Sequence, residues 1–495
     1  MSASREKKIR QASGAADTKK QREAEALKKQ KRTNALYGSI ALAFVVIAAA
    51  VLVWSSNIIQ KNAAAVTVDG VTYNADEVSY YYHYTLNQFN EQYGNYLSYL
   101  GLDTSKPLDQ QESIYGGTWD EYFKTEAINN LKFTALMCKA AEEAGYELTE
   151  DDEIAINNEI SYTKFYAETN NVDYKTYVRA LFGKLVTPEL FEKCLCECTL
   201  ADSYANSIFQ SYSFSDAEVA AHLKDNLRDF QFVDYSYFTA VAKTEEGADA
   251  PTEEAIAEAK AVTEEILARV EAGEDLETVS KDYEDKGTFT HDDGAMYFDD
   301  ELTNWLFDAN RTAGDTTITE SGNNSVIAVF NKIYLEEYNT VDANIIRMAP
   351  ATADLDSESE TYEADLAAKM DEAIAKAEEV FNTWKSGDAT LDSFKELANK
   401  HSNEGIPDGT YTQIYKGMLD SLVEEWLFDA SREVGDVELI EGEDSVYIVY
   451  FTGVNDRYVD IQVDNALRTA EYNKYYEEAM NAVESSELSG MKYVG

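Results

Sequence analysis

The chain has 495 residues, of which 92 are acidic and 42 basic, giving a formal charge of −50. That length allows several domains with separate cores. The acidic body does not suit nucleic acid, which needs clustered Lys and Arg to neutralise phosphates. With only four His in the chain, there is little material for zinc sites or Ser-His-Asp triads.

The charge is unevenly placed. Residues 1–35 hold 11 basic and 4 acidic side chains, while the remainder holds 31 and 88. A sign reversal of that size points to two environments. Between them, no Asp, Glu, Lys or Arg occurs from Thr33 to Gln60, and residues 36–59 are mostly Ala, Val, Ile, Leu and Phe. One helix of about 20 such residues crosses a hydrocarbon core of roughly 30 Å. The basic flank places the N-terminus in the cytoplasm and the body outside, as a single-pass protein of the cell membrane. A cleaved signal peptide is the alternative, with Ala63-Ala64-Ala65 as a peptidase site. The apolar run is longer than the usual signal core of about 7–15 residues, which favours a retained anchor.

Beyond the anchor, Val66-Thr67-Val68-Asp69-Gly70-Val71-Thr72-Tyr73 alternates around an Asp-Gly pair and predicts a β-hairpin. Asn74, with Glu77 three residues later, predicts a helix start. The following stretch to residue 229 reads as predominantly helical and aromatic-rich, with breaks at Gly145–Thr149 and Asn170–Asp173. It contains Cys138 and the run Cys194-x-Cys196-x-Cys198. Positions i, i+2 and i+4 of a helix do not converge on one ion, so these read as small core thiols, with a disulfide to Cys138 left open. No metal and no cofactor is expected.

The chain then repeats itself. Trp305-Leu306-Phe307-Asp308-Ala309-Asn310-Arg311-Thr312-Ala313-Gly314-Asp315 returns 121 positions later as Trp426-Leu427-Phe428-Asp429-Ala430-Ser431-Arg432-Glu433-Val434-Gly435-Asp436. The flanks agree. First strands are expected at 233–238 and 341–346, and last strands at 325–330 and 445–451. In each copy a long helix follows the first strand. Ile256, Ala259, Ile266 and Val270 share a face in one, and Ile374, Ala377, Phe381 and Trp384 in the other, with Gly273 and Gly387 as stops. A shorter helix, a loop, the Trp-Leu-Phe helix and a strand complete each unit. A final helix is expected over 463–485, with one apolar stripe through Val463 and Leu467 and another through Tyr472 and Tyr476.

This layout resembles the SurA/PrsA-type extracytoplasmic foldases, in which a helical chaperone domain completed by the C-terminal helix carries parvulin-type (PpiC-like) prolyl isomerase domains. The second copy is most similar: Phe394-Lys395-Glu396-Leu397-Ala398-Asn399-Lys400-His401-Ser402 looks like the family's "F..LA..yS" helix, and Gly435-Asp436-Val437 like its step into the penultimate strand. The resemblance implies an α+β multidomain fold with a basic cytoplasmic segment (1–35), a transmembrane anchor (36–59) and a helical chaperone domain (66–229). It also implies two tandem parvulin-like domains (230–336 and 341–455) and a C-terminal helix (458–488) packed on the chaperone domain. Its expected partners are unfolded or newly exported polypeptides and, through the anchor, the membrane. The family's two His fall at Ser236 and Ile327 in the first copy and at Asn344 and Tyr447 in the second, so neither copy keeps them. The proline pocket has a match at Met418 and Leu422, with Trp426 and Phe428 following as further substrate-binding candidates. The reading is thus a foldase with or without isomerase activity; the alternative is an inactive chaperone or scaffold that uses these domains only to bind.

Overall fold

The computed structural model describes residues 57–495 apart from Glu246, Asp249, Asp354, Ser357 and Glu358. The basic segment 1–35, and all but the last three residues of the expected anchor, lie outside the described residues. Among the described residues no helix is long and apolar enough to cross a membrane. Two compact units emerge: one ends at Tyr212 and is joined by Glu471–Gly495, and the other is Ser213–Ala470.

The first unit opens with the predicted hairpin, β1 (Ala64–Val68) and β2 (Val71–Asn74). Asp69 and Gly70 both take positive φ, as the tight turn requires. Asn74 and Glu77 form a capping box at the start of α1 (Ala75–Tyr93). Around it stand α2 (Trp119–Ala144), α3 (Glu150–Thr169), α4 (Tyr174–Phe182) and α5 (Pro188–Ser211). Tyr80, Tyr81 and Tyr82 of α1 are all buried. Three successive buried positions span about 200° of a helix, so α1 is the central element. Tyr80 stacks on Phe182, while Tyr82 meets Phe123 edge-on. All four cysteines are free: Cys194 is buried in α5, and the other three are half-buried. Cys138 points its Sγ at the Glu197 carbonyl, 3.2 Å away.

The second unit holds the two repeats. After α6 (Asp216–Asp225), module one contains β3 (Phe232–Ala240), α7 (Glu253–Glu271), α8 (Leu276–Ser280), β4 (Gly287–Ala295), α9 (Glu301–Leu306), β5 (Thr316–Ser321) and β6 (Asn324–Tyr334). Module two contains β7 (Asn339–Met348), α10 (Tyr362–Ser386), α11 (Leu391–His401), β8 (Thr410–Ile414), α12 (Ser421–Leu427), β9 (Val437–Glu441) and β10 (Val446–Arg457). Each forms a four-stranded sheet, β4-β3-β6-β5 and β8-β7-β10-β9, with antiparallel pairing throughout. On one face Phe238, Ala240 and Ile327 pack on α7 and α8, and in module two Ile346, Met348 and Ile448 pack on α10 and α11. On the other face Tyr235 and Phe330 meet Leu306, and Ala343 and Phe451 meet Leu427. The duplication is therefore structural as well as sequential.

The edge strands β4 and β8 stand where the sequence reading put loops. Gly287-Thr288-Phe289-Thr290-His291-Asp292-Asp293-Gly294-Ala295 has polar residues on both faces and pairs on one side only, so it lacks the apolar alternation of an inner strand. The boundary expected at 229 comes earlier, at Tyr212, because Val219, Leu223 and Phe230 pack with Val459 and Val463 of α13 (Tyr458–Ala482). The two stripes of α13 have separate uses. Its second half, through Tyr472 and Tyr475, packs with Met137 and Ala201 in the first unit. Beyond it, β11 (Ser485–Glu487) adds to β1 as a third strand.

Candidate functional site

Asp420 caps α12 by accepting the Leu422 N–H at 2.9 Å. One turn on, Glu424 accepts the N–H groups of Gly417 at 2.9 Å and Leu419 at 2.7 Å. Gly417, at φ 90°, makes the turn that those bonds require. The carboxylate thus folds the loop before α12 back on itself and presents Met418 outward. Met418 is 41% exposed and Leu422 45% exposed. Apolar side chains held open on a braced backbone suit contact with a partner's apolar groups.

Trp426 and Phe428 are held differently. Trp426 is half-buried, with the Arg432 guanidinium 4.5 Å from its ring centre. Its spacing of four from Leu422 keeps it on the side of Leu422. Phe428 closes the helix away from them, edge-on to Tyr338 at 5.5 Å, with Lys416 above Tyr338.

The positions assigned to the lost His residues need correction. Asn344 and Tyr447 lie on opposite faces of the module-two sheet. Asn344 shares the α10 face with Ile346, and its amide donates to Asp408 O at 2.9 Å and Thr410 Oγ1 at 2.8 Å. Tyr447 belongs to the α12 face with Ile345. In module one both Ser236 and Ile327 lie on the α7 side. The discrepancy is a one-residue slip. Gly314 N bonds Phe330 O and Gly435 N bonds Phe451 O, so the shift of 121 persists through β6 and β10. Ile448 therefore answers Ile327, and Tyr447 answers Val326. Aligning the two Ser-Val pairs lost one residue, and one residue exchanges the faces of a strand. On the α12 face the residue beside Asn344 is Ile345, which is also not His.

The sequence reading missed a polar group on β7, β8 and the loop after α11. The Tyr411 hydroxyl donates to Glu404, and Arg347 Nε lies 3.7 Å from Glu404 Oε1. Burial, then the hydrogen bond to Glu404 and its charge, holds the Tyr411 phenol well above its ordinary range, so it stays a donor. The usable signal was Ser402-Asn403-Glu404, just past the helix that carried the resemblance.

Module one also brings together Ser236, His291 and Asp234. Ser236 Oγ is 3.0 Å from His291 Nδ1, and His291 Nε2 is 3.8 Å from Asp234 Oδ1. The second distance exceeds hydrogen-bond reach. Ser236 sits mid-strand, paired on both sides, so neighbouring amides are committed to the sheet and not to an oxyanion. This is a polar patch rather than a nucleophilic triad.

Residues 25–203 match the family model described as the SurA-like N-terminal domain. The chain carries a SurA-like N-terminal domain. Its described part is the hairpin and the helices α1 to α5 up to residue 203. No curated protein matches the chain significantly. Among solved structures, PrsA from Bacillus subtilis is similar at 12% identity and a TM-score of 0.28, over 75% of this chain and 89% of that one. A Campylobacter jejuni structure, from a pair described as the SurA-like chaperones PEB4 and Cj1289, is similar at 11% and 0.23, over 86% and 100%. The foldase protein PrsA from Streptococcus pneumoniae is similar at 15% and 0.19, over 75% and 92%. These likenesses are faint, and the SurA-like assignment rests on the N-terminal match.

Proposed function

We propose that this protein is an anchored extracytoplasmic foldase that holds unfolded, newly exported polypeptides. Residues 36–59 tether it, with the basic segment in the cytoplasm. Met418 and Leu422 meet the client, and Trp426 and Phe428 support and extend that surface. The observation that carries the reading is the braced, exposed Met418–Leu422 pair in a chain with a SurA-like domain. Light scattering from an aggregating client tests it. The full chain at molar excess suppresses aggregation, and Met418→Asp with Leu422→Asp weakens suppression without lowering the unfolding midpoint. Absence of suppression by the wild type contradicts the reading.

A second reading adds prolyl isomerisation. Rotation about X-Pro breaks no covalent bond, and its barrier is about 18–20 kcal/mol. A site needs only to bind the twisted amide better than the planar one. The Tyr411–Glu404–Arg347 group on the strands below α12 offers dipoles for that, in place of the missing His. A prolyl-peptide assay on the full chain decides: a rate above buffer that falls in Glu404→Gln supports catalysis, and a rate equal to buffer leaves holding alone.

A further inference from the structure

Module one keeps open a space that module two fills with rings. In module two Trp384 meets Tyr450 at 6.0 Å, Tyr450 meets Phe394 at 5.4 Å, and Trp384 meets Phe394 at 6.1 Å. Tyr450 reaches across the sheet until its hydroxyl lies 3.7 Å from where a side chain on Gly435 would begin. The indole N–H of Trp384 donates to Thr390 O at 3.0 Å.

The equivalent positions in module one are all valine. The shift of 121 places Val329 at Tyr450 and Gly314 at Gly435. Burial of Ala259 and Ile266 against that of Ala373 and Val380 aligns the long helices and places Val270 at Trp384. The caps Asp275 and Thr390 align the short helices and place Val279 at Phe394. Val270 and Val329 stand where module two has rings at the surface of that space, while Val279 is fully buried and does not line it. An open pocket of about 610 Å³ lies there, lined by Val270, Val329 and Gly314, with Leu276 and Phe289 as further apolar wall. Its polar side carries Ser236, whose hydroxyl bonds His291, and Asn331, whose amide bonds Asp234 at 2.8 Å. Glu274, Asp275 and Glu277 edge it, Glu274 paired with Arg269 at 2.6 Å and Glu277 with Lys281 at 3.2 Å, and among the described residues no Lys or Arg lines it.

We infer that this pocket binds a neutral or cationic hydroxyl-bearing aromatic ring, as a free phenol or as a tyrosyl side chain. Module two supplies the evidence for shape, since phenol and indole rings occupy the corresponding space there. The Ser236–His291 pair supplies a partner for the ring hydroxyl, and the three edge carboxylates outnumber the two cations paired with them, which disfavours an anionic ligand. The pocket faces α7 and α8, on the other side of the sheet from the surface that answers α12, so its occupancy is independent of the client contact at Met418.

Calorimetric titration of the full chain tests this with p-cresol, tyramine, 4-hydroxyphenylacetate and an N-acetylated tyrosine tripeptide amide. p-Cresol and tyramine bind in the millimolar range or tighter, and 4-hydroxyphenylacetate binds more weakly. Val329→Tyr, which restores the module-two ring, cuts affinity about tenfold or more. Val270→Trp does the same, and guards against misfolding of the first variant. Ser236→Ala weakens p-cresol but leaves toluene unchanged. Competition between p-cresol and the tripeptide places both in one pocket, and the tighter of the two identifies the source. Absence of p-cresol and tripeptide binding, or binding unchanged in both filled variants, overturns the inference.

Discussion

Arg432 lies over Trp426 and reaches Asp436 at 3.6 Å, while Arg311 lies 4.1 Å over Trp305 and reaches Asp315 at 4.0 Å. Asp308 and Asp429 each accept the N–H two residues on, and Asp315 and Asp436 each accept the N–H three residues back. The duplicated Trp-Leu-Phe-Asp-Ala…Arg…Gly-Asp motif is therefore a folding device: ring, cation and two capping carboxylates lock the turn between a short helix and the next strand. Its recurrence was visible in the sequence; its purpose was not, because it depends on which ring the Arg covers. Arg311→Ala and Arg432→Ala should each cost about 1 kcal/mol in urea unfolding, the former more, because Arg311 Nε also donates to Trp305 O at 2.9 Å and Arg432 Nε has no such bond. A loss in only one would show that the turns are not equivalent. The thiols make a second residue-scale case. Burial pushes Cys138 up to about 12 and Cys198 up to about 11. The unfolded chain ionises these groups first as pH rises past their ordinary value, so their contribution to stability is intact below about pH 8.5 and lost above it. Native protein at about pH 8 should therefore react slowly with a thiol reagent, and urea should release fast labelling of all four cysteines.

At the scale of elements, the contact between α1 and the turn after α4 is the most exacting. Gly183 has φ 88°, and a Cβ there would stand 2.5 Å from the His83 ring. Gly183→Ala should cost at least about 2 kcal/mol, from backbone strain and displacement of the ring together. Burial lowers the His83 pKa, with Lys184 adding to the effect and the Ser79 carbonyl opposing it. The unfolded chain takes up that proton first, so this stability is present above about pH 6.5 and is lost as pH falls below it. His83→Gln should flatten the fall of the urea midpoint between about pH 7 and 5.5; an unchanged slope would remove His83 from the account. The hairpin, the capping box and the long amphipathic helices were legible because each is set by neighbours in sequence. The edge strands β4 and β8 and the closing strand β11 were not, because their pairing comes from distant segments. The slip at Tyr447 has the same origin: Ser325-Val326 and Ser445-Val446 look alike locally, and only the ladder shows that they are offset.

For the whole molecule, the tandem modules and the α13 helix with two apolar stripes were readable from repeat and periodicity. Exposure was not, and it separates Met418 and Leu422 from Trp426 and Phe428. The central claim is that an unfolded client touches this protein at Met418 and Leu422. Site-specific photo-crosslinking tests it, with a photoreactive residue placed in turn at 418, 422 and 434. Val434 is 71% exposed, more than either candidate, and so controls for accessibility alone. The account predicts strong client adducts from 418 and 422 and few from 434; equal yields at all three positions, or none at 418 and 422, would contradict it.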